Sequence, residues 1–394
     1  MRTDFDESQR GLFEGFRRLG AELGMDVQDR DRDGAFSHDD WKRAAAHGVQ
    51  GFLVPEQYGG SGRGPAEYVS AMEGLGYGCV DNGLFLALGA HILAVEMPLA
   101  EFGTEEQRRA YLPALADGQA VGANAMTESS TGSDALALTA SAERDGDCYV
   151  LNGIKRYVTN APVADLFVVY ATVAPALGFT GVTAFLVERG DAGLAVREDE
   201  EKLGLRTTAW GRVELTDCRI PGSRRLGAEK QGSAIFARSM AWERALIMAP
   251  WLGVMQREVD ECVSHARRRR QFGHNIGHFQ AVSHRLVNMQ IQVEISRLTT
   301  YRAAAGLADG KPGMFPELTK LYTSEAAVEV CSQALQIQGA LGYTGASRAG
   351  RNLRDVVGMT ISSGTSDMQR NIIASRLGLA WPERDTDGSG SWSA

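Results

Sequence analysis

Two short stretches carry the side chains whose types and spacing can do chemistry. In SMAWERALIMAPWLG (residues 239–253), Glu243 and Arg244 stand among Met240, Trp242, Leu246 and Ile247. Apolar surroundings disfavour the charged form of a carboxyl and raise its pKa, which suits it to take a proton near neutral pH. The bland alternative is a glutamate on a solvated helix face. In MTISSGTSDMQRN (359–371), Ser363 precedes a Gly-Thr turn opening a helix expected over Ser366–Leu377, with Thr365 or Ser366 as its cap. Ser363 is not a base in its own right. An unactivated hydroxyl is too weak a proton acceptor, and no histidine lies nearby in the sequence. The run Arg267–Arg270 is a third feature, read first as a solvated helix face. His91, His274 and His278 are isolated and read as structural or surface residues, and Trp210 and Trp251 as packing.

The elements that must hold these residues fall into three regimes, giving a mainly α protein with a central β domain. Residues 1–120 read as helical, over Phe5–Asp29, Ser37–His47, Gly64–Gly76, Leu84–Phe102 and Thr104–Ala116. GGSGRG (59–64) reads as a structural turn before a helix, because no strand precedes it and Pro65 follows. Residues 121–229 change to short β-branched runs at 148–160, 165–173, 181–189 and 211–220, the texture of a small barrel or sandwich. Asn152-Gly153 carries a hairpin-turn signal. From 230 to 381 long helical periods return at 232–269, 278–307, 316–338 and 366–378, predicting a four-helix bundle with a kink at Pro250. Residues 382–394, RDTDGSGSWSA and its two preceding residues, read as a disordered tail.

The totals bound the partners. Of 394 residues, 44% are hydrophobic and 23% charged, as in an ordinary globular protein of more than one domain. A formal charge of −8 argues against nucleic acid or anionic membrane as the main partner. Five scattered cysteines without ligand spacing suggest reduced thiols and no metal. A charged N-terminus and the lack of an 18-residue apolar run lead to the expectation of a cytoplasmic protein without a signal peptide or membrane span.

Four motifs in order then give the chain a family likeness. AMTESSTGSD (125–134), YVTN (157–160), RRRRQFGHNIGHFQ (267–280) and QIQGALGY (336–343) resemble stretches of the flavin-dependent acyl-CoA dehydrogenases, and the likeness runs to about residue 381. The resemblance implies an N-terminal helical domain, a middle β-barrel and a C-terminal four-helix bundle. It also implies FAD, held by Met126, Thr127, Gly132, Ser133, Tyr157, Thr159, Thr365 and Asp367. Arg269, Phe272 and Gln280 are implied to lie on FAD, on an arm that reaches the FAD of a neighbouring subunit in a homotetramer or homodimer, and Gln336 and Gly339 to meet the dinucleotide at a helix end. A guanidinium such as that of Arg269 suits a pyrophosphate bidentately. Thr131, Ala340 and Ala346 depart from the family pattern.

In most of the family a glutamate stands at the position of Ser363. Isovaleryl-CoA and long-chain acyl-CoA dehydrogenases instead carry the catalytic glutamate where this chain has Glu243. The resemblance therefore makes Glu243 the base, the Ser363 backbone N–H an oxyanion donor, and Ser133 and Arg244 substrate residues. The implied reaction is α,β-desaturation of an acyl thioester of a short or branched acyl group. The expected partners are an acyl-CoA or an acyl or aminoacyl carrier protein, with electrons leaving to an electron-transfer flavoprotein or to oxygen. A dehydrogenase of a carrier-bound aminoacyl group, as in prolyl-carrier-protein dehydrogenases, is the near alternative. A flavin monooxygenase on this fold and a non-catalytic scaffold are the remaining ones. The first needs no α-proton base, and the second has no use for near-complete FAD motifs.

Overall fold

The computed structural model describes residues 6–198 and 200–379. The expected tail 382–394 and the expected helix start at Phe5 lie outside them. The N-terminal unit comprises α1 (Glu7–Glu22), α2 (Val27–Asp33), α3 (His38–Ala46), α4 (Pro65–Gly78), α5 (Asn82–His91), α6 (Met97–Phe102) and α7 (Glu105–Ala116). The strands are β1 (Gly122–Ala125), β2 (Ser141–Asp145), β3 (Cys148–Thr159), β4 (Leu166–Thr172), β5 (Val182–Glu188), β6 (Leu194–Glu198), β7 (Trp210–Pro221) and β8 (Arg225–Leu226). The C-terminal unit comprises α8 (Gly232–Leu246), α9 (Ala249–Arg268), the short strands β9 (Arg270–Gln271) and β10 (His274–Asn275), α10 (Gln280–Ala308), α11 (Phe315–Gln338), α12 (Arg348–Met359) and α13 (Ser366–Arg376).

The three-part architecture agrees with the sequence, and several local expectations do not. The helix expected over Phe5–Asp29 divides into α1 and α2, because the chain turns at Gly24 with φ +73°. Asn152-Gly153 is not a hairpin turn but lies within β3, at a shift in its register with β7. Gly153 is needed there because a Cβ would stand 2.6 Å from the Cβ of Ala140. The hairpin turns at Gly146-Asp147 instead, closing β2 onto β3 at the Asp145–Cys148 pair. Pro250 does more than kink a helix. It cannot donate the bond that would continue the ladder, so α8 ends at Leu246 and α9 begins at Ala249 with Pro250 in its first turn. The helix α12 was not expected. Arg348, Arg351 and Arg354 interrupt its apolar pattern, and it is held by packing on α11.

Asn82–Phe102 forms one rod, α5 running through a π-helical turn at Ile92–Glu96 into α6. It is 21 residues long and apolar, with a mean hydropathy of 1.7 over its most apolar window, but 83% of that window is buried inside the protein, as in a core helix. GGSGRG does turn into a helix, with Pro65 opening α4.

The sheet runs β6-β7-β3-β2-β4-β5-β8, with β1 added alongside β4. β4 is buried on both faces. Phe167, Val169 and Ala171 join a core shared with the N-terminal helices and the bundle. Leu166, Val168 and Tyr170 join a second core with Val95, Leu99, Leu112 and Ile235 of the surrounding helices. A strand buried on both sides reads as a continuous apolar run, which is why DLFVVYATV was legible. Behind it α4 and α9 cross backbone to backbone: a Cβ on Gly76 would lie 1.8 Å from the Pro250 carbonyl oxygen, and one on Gly253 2.0 Å from that of Glu73. That crossing fixes where α9, and hence α8, stands against the sheet.

Candidate active site

α8 presents different residues around its circumference. On one side Arg238 Nε and Trp242 Nε1 donate to Glu101 of α6, at 2.7 and 2.8 Å. Glu243, a helical step on, is buried, and its Oε2 accepts a 2.6 Å hydrogen bond from the Ser363 hydroxyl. The two stretches singled out in the sequence therefore meet in space. Burial pushes the Glu243 carboxyl above the usual carboxylate range, and the Ser363 hydroxyl and the Arg244 charge pull it only partly back.

Ser363 sits on a strained turn, with φ +51° followed by Gly364 at φ +88°. A non-glycine residue in that region is held there by its surroundings. Three helices supply the hold. Arg244 Nε of α8 donates to the Ser363 carbonyl at 3.3 Å. Gln369 Nε2 of α13 donates to the Ser363 and Gly364 carbonyls at 3.1 and 2.9 Å. Lys320 Nζ of α11 donates to the Thr360 and Gly364 carbonyls at 3.2 and 2.7 Å. Burial, then the Arg244 charge, brings the Lys320 amine down to about 8. Arg244 is itself held by Glu317, at 3.4 Å. In this arrangement the Arg244 side chain braces the turn from behind. The carbonyls of Thr360, Ser363 and Gly364 are all engaged, while the Ser363 N–H has no acceptor among the described residues. The result is an anchored donor next to a buried carboxylate of raised pKa, a pair able to polarise a carbonyl and deprotonate the adjacent carbon.

The residues expected at FAD fall into groups. Thr127 and Tyr157 are neighbours, since the Arg156 N–H donates to the Thr127 carbonyl at 2.8 Å. Under them Glu128 is fully engaged, accepting from Thr139, the Ala140 N–H and the buried Lys155 ammonium. Lys155 also donates to the Met126 carbonyl at 3.1 Å. Glu128 is thus the lock that shapes the 126–140 loop. Met126 lies just beyond β1 with its side chain in the second core, while Gly132 and Ser133 are exposed, and a Cβ on Gly132 would meet nothing within 4 Å. Tyr157, at φ +57° and 47% exposed, lies against Trp210 with ring centroids 5.2 Å apart. Trp210 is thus part of this ledge and not simply packing. Thr159 is half-buried and pairs with Trp210 across β3 and β7. Thr365 caps α13, its hydroxyl accepting from the Met368 N–H at 3.2 Å. Ser366 has a buried hydroxyl without a partner beside it, and Asp367 is exposed. An aromatic ledge, open hydroxyls and the first turn of α13 fit a flavin dinucleotide.

Arg269, Phe272 and Gln280 lie on an exposed arm between α9 and α10, whose contacts include Phe272 against Phe279 at 6.2 Å. Gln336 and Gly339 are exposed at the end of α11. Of the histidines, His91 is buried and structural, its Nδ1 accepting from the Gly122 N–H at 2.9 Å. Residues that sequence reasoning missed are Glu317, Lys320 and Gln369. They resemble ordinary helix residues, and only the fold turns them onto one loop.

Comparison with known proteins agrees with this geometry. The N-terminal, middle and C-terminal domain models of acyl-CoA dehydrogenases match residues 6–119, 123–218 and 230–378. An L-prolyl-[peptidyl-carrier protein] dehydrogenase of Pseudomonas fluorescens is 44% identical over 87% of this chain and 91% of its own. The solved structure of the prolyl acyl carrier protein oxidase AnaB superposes with a TM-score of 0.94 at 39% identity, covering 95% of this chain and all of that one. PigA, solved with FAD and proline, gives 0.93 at 38% identity over 96% of this chain and all of its own. Matched along its length from residue 6 to residue 378, the chain belongs to the acyl-CoA dehydrogenase family, as an FAD-dependent enzyme that oxidises a CH–CH bond of an acyl thioester.

Proposed function

We propose that the thioester is a prolyl group on the phosphopantetheine arm of a peptidyl-carrier protein, with Glu243 as the general base. The carrier was one of two weighed on sequence, and the prolyl-specific relatives favour it over coenzyme A. The single observation behind the base is the buried Glu243 carboxylate, bonded to Ser363 and beside a free backbone N–H. In this reading the Ser363 N–H binds the thioester carbonyl oxygen, which lowers the pKa of the α carbon. Glu243 Oε takes the α proton, and its low-dielectric setting brings its basicity toward neutral pH. FAD, when bound, accepts the β hydrogen as hydride. Met126, Thr127, Gly132, Ser133, Tyr157, Thr159, Thr365 and Asp367 hold it in one subunit, and Ser133 also faces substrate.

Arg269, Phe272 and Gln280 serve the FAD of a second copy, and Gln336 and Gly339 also meet the dinucleotide. Two exposures support that oligomer, a homotetramer or homodimer. Phe272 is 91% exposed, and Val287, Ile291, Ile295 and Leu298 form an exposed apolar stripe along α10. The working units are the expected 1–120, 121–229 and 230–381, in a cytoplasmic protein.

The test is Glu243→Gln. The variant keeps FAD bound but loses substrate-driven bleaching of the flavin by about 10²- to 10⁴-fold, the usual contribution of a positioned base. Bleaching at the wild-type rate sinks the assignment. Mass spectrometry after incubation with prolyl-loaded carrier protein and prolyl-CoA separates the two carriers.

A further inference from the structure

An apolar patch beside the helix that carries Glu243 is not used by the chemistry above. It is built on the loop between β4 and β5, Pro175–Gly181. The loop is tied tightly: the Leu177 N–H donates to the Ala174 carbonyl at 2.9 Å, the Thr180 hydroxyl to the Leu177 carbonyl at 2.8 Å, and the Val173 N–H to the Gly181 carbonyl at 3.0 Å. So held, it leaves Leu177 and Phe179 each 51% exposed. It lies against α8 and against the turn Ala135–Ala137, which follows Ser133 in the 126–140 loop. Leu136 of that turn and Phe236 of α8 are half-buried.

Lys230 stands at the same corner. It precedes α8 at φ +67°, and its N–H donates at 2.9 Å to the hydroxyl of Thr183, two residues beyond the apolar loop. Its ammonium is exposed and has no acceptor among the described residues.

The reach of a substrate arm connects this corner to the chemistry. Toward its C-terminal end α8 is sealed. Leu246, Ile247 and Met248 are buried there, and a Cβ on Gly89 of α5 would stand 2.2 Å from the Ile247 side chain. Toward its N-terminal end α8 opens, with Ala241 half-buried and Ala237 and Ala234 exposed. From Glu243 back to Gly232, its first residue, the helix rises about 16 Å. A phosphopantetheine arm, roughly a dozen bonds from sulfur to phosphorus, spans about 15 Å when extended. An arm whose thioester lies beside Glu243 thus brings its phosphate to the corner of Lys230, and its carrier over Leu177 and Phe179.

We propose that Leu136, Leu177, Phe179 and Lys230 form the docking surface for the peptidyl-carrier protein, a proposal that rests on the carrier reading above. Lys230 meets the anionic phosphodiester, and the apolar side chains meet the protein around the point where the arm is attached. Coenzyme A presents further phosphates and a sugar at this distance, which gain nothing from two half-exposed apolar side chains. A protein surface does.

The experiment uses the FAD-loaded enzyme as wild type, Leu177→Ser, Phe179→Ser and Lys230→Glu, with FAD occupancy and circular dichroism as folding controls. Calorimetric titration with phosphopantetheinylated, unloaded carrier protein gives Kd, and FAD bleaching by prolyl-loaded carrier protein gives the limiting rate. Each apolar variant is expected to weaken Kd about tenfold, the ordinary cost of one interface anchor, and to leave the limiting rate unchanged. Lys230→Glu weakens Kd at low salt, and its effect shrinks as salt rises. Unchanged Kd in all three variants, or a slower limiting rate without a change in Kd, overturns the docking surface. Sedimentation of the apolar variants as smaller species than wild type makes the patch a contact between copies and overturns it too. Wild-type turnover of prolyl-CoA without turnover of prolyl-carrier protein overturns the carrier reading itself. Prolyl-carrier turnover with unchanged Kd in the variants removes only the docking surface.

Discussion

At the scale of residues, the proposed base Glu243 is paired with Ser363, the residue before the Gly-Thr turn. The serine hydroxyl points at the relocated carboxylate and bonds the charged form, while burial works against that form. Glu243 is a base only when deprotonated, so kcat/KM rises with pH through its elevated pKa. Ser363→Ala removes a bond that favours the carboxylate, and the acid limb of the pH profile moves to higher pH. A limb that stays in place, or moves down, contradicts the assignment. Because the folded pKa is raised, the stability that Glu243 contributes is fully present below its unfolded value and lost as pH rises through the folded one. Glu243→Gln, an uncharged isostere, is therefore expected to melt no lower than wild type at pH 8 while being inactive. A marked drop in its thermal midpoint would show the carboxylate holding the fold together.

At the scale of elements, the Ser363 turn is set by helices remote in sequence. Lys320 on α11 and Gln369 on α13 each hold two carbonyls of the 360–364 segment, and Arg244 on α8 shares the Ser363 carbonyl with Gln369. The free N–H of Ser363 keeps its direction only while those carbonyls are tied. Lys320→Met leaves the Thr360 carbonyl with the Ser366 N–H alone and the Gly364 carbonyl with Gln369 alone, which loosens the turn. The expected loss is about 1–3 kcal/mol of stability, together with a fall in kcat larger than the change in KM, because positioning matters most at the transition state. Steady-state kinetics and thermal melts check both, and a variant impaired only in KM refutes a positioning role. The charge on Lys320 has its own signature. Its folded pKa of about 8 lies below the ordinary lysine value, so its burial costs stability below pH 8 and that cost fades as pH rises toward 10.5.

At the scale of the whole molecule, one buried network ties the three units together. Asp355 of α12 accepts from the Leu205 N–H, between β6 and β7, at 2.6 Å, and from Asn82 of α5 at 2.9 Å. Asn82 also donates to Asn352, which in turn donates to Glu258 of α9. Arg351 joins the same junction, donating to the Val80 carbonyl at 3.1 Å. Burial raises Asp355 to about 6, against the hydrogen bonds that pull it down. Its contribution to stability is present below the unfolded value near 3.8 and lost as pH rises through about 6. Asp355→Asn cannot titrate, so its melting temperature relative to wild type improves as pH rises from 3.8 through about 6. Parallel curves over that window would mean the carboxyl does not carry this charge. The exposed arm at Phe272 makes its prediction at the same scale: Phe272→Asp weakens both FAD retention and self-association, measured by flavin absorbance and sedimentation.

Most of the architecture was legible because periodicity survives burial. β4 reads as unbroken apolar residues, α11 repeats its apolar residues at helical spacing, and the family motifs occur in order along nearly 250 residues. Misreadings arose where a tertiary neighbour overrode a local signal. Gly153 serves a close approach to Ala140 where a turn was expected, α12 is carried by its packing on α11, and Trp210 lies beside Tyr157. The order of elements follows from residue types and spacing, which are properties of the chain in one dimension, whereas FAD and Glu243 as the proposed base were implied by the family resemblance. The fold alone decided that the Ser363 hydroxyl meets the Glu243 carboxylate, and that donors from α8, α11 and α13 converge on a single turn. Those contacts join residues 120 and 44 positions apart, as between Glu243 and Ser363 or Lys320 and Gly364, and no local pattern encodes a distance between residues that only packing brings together.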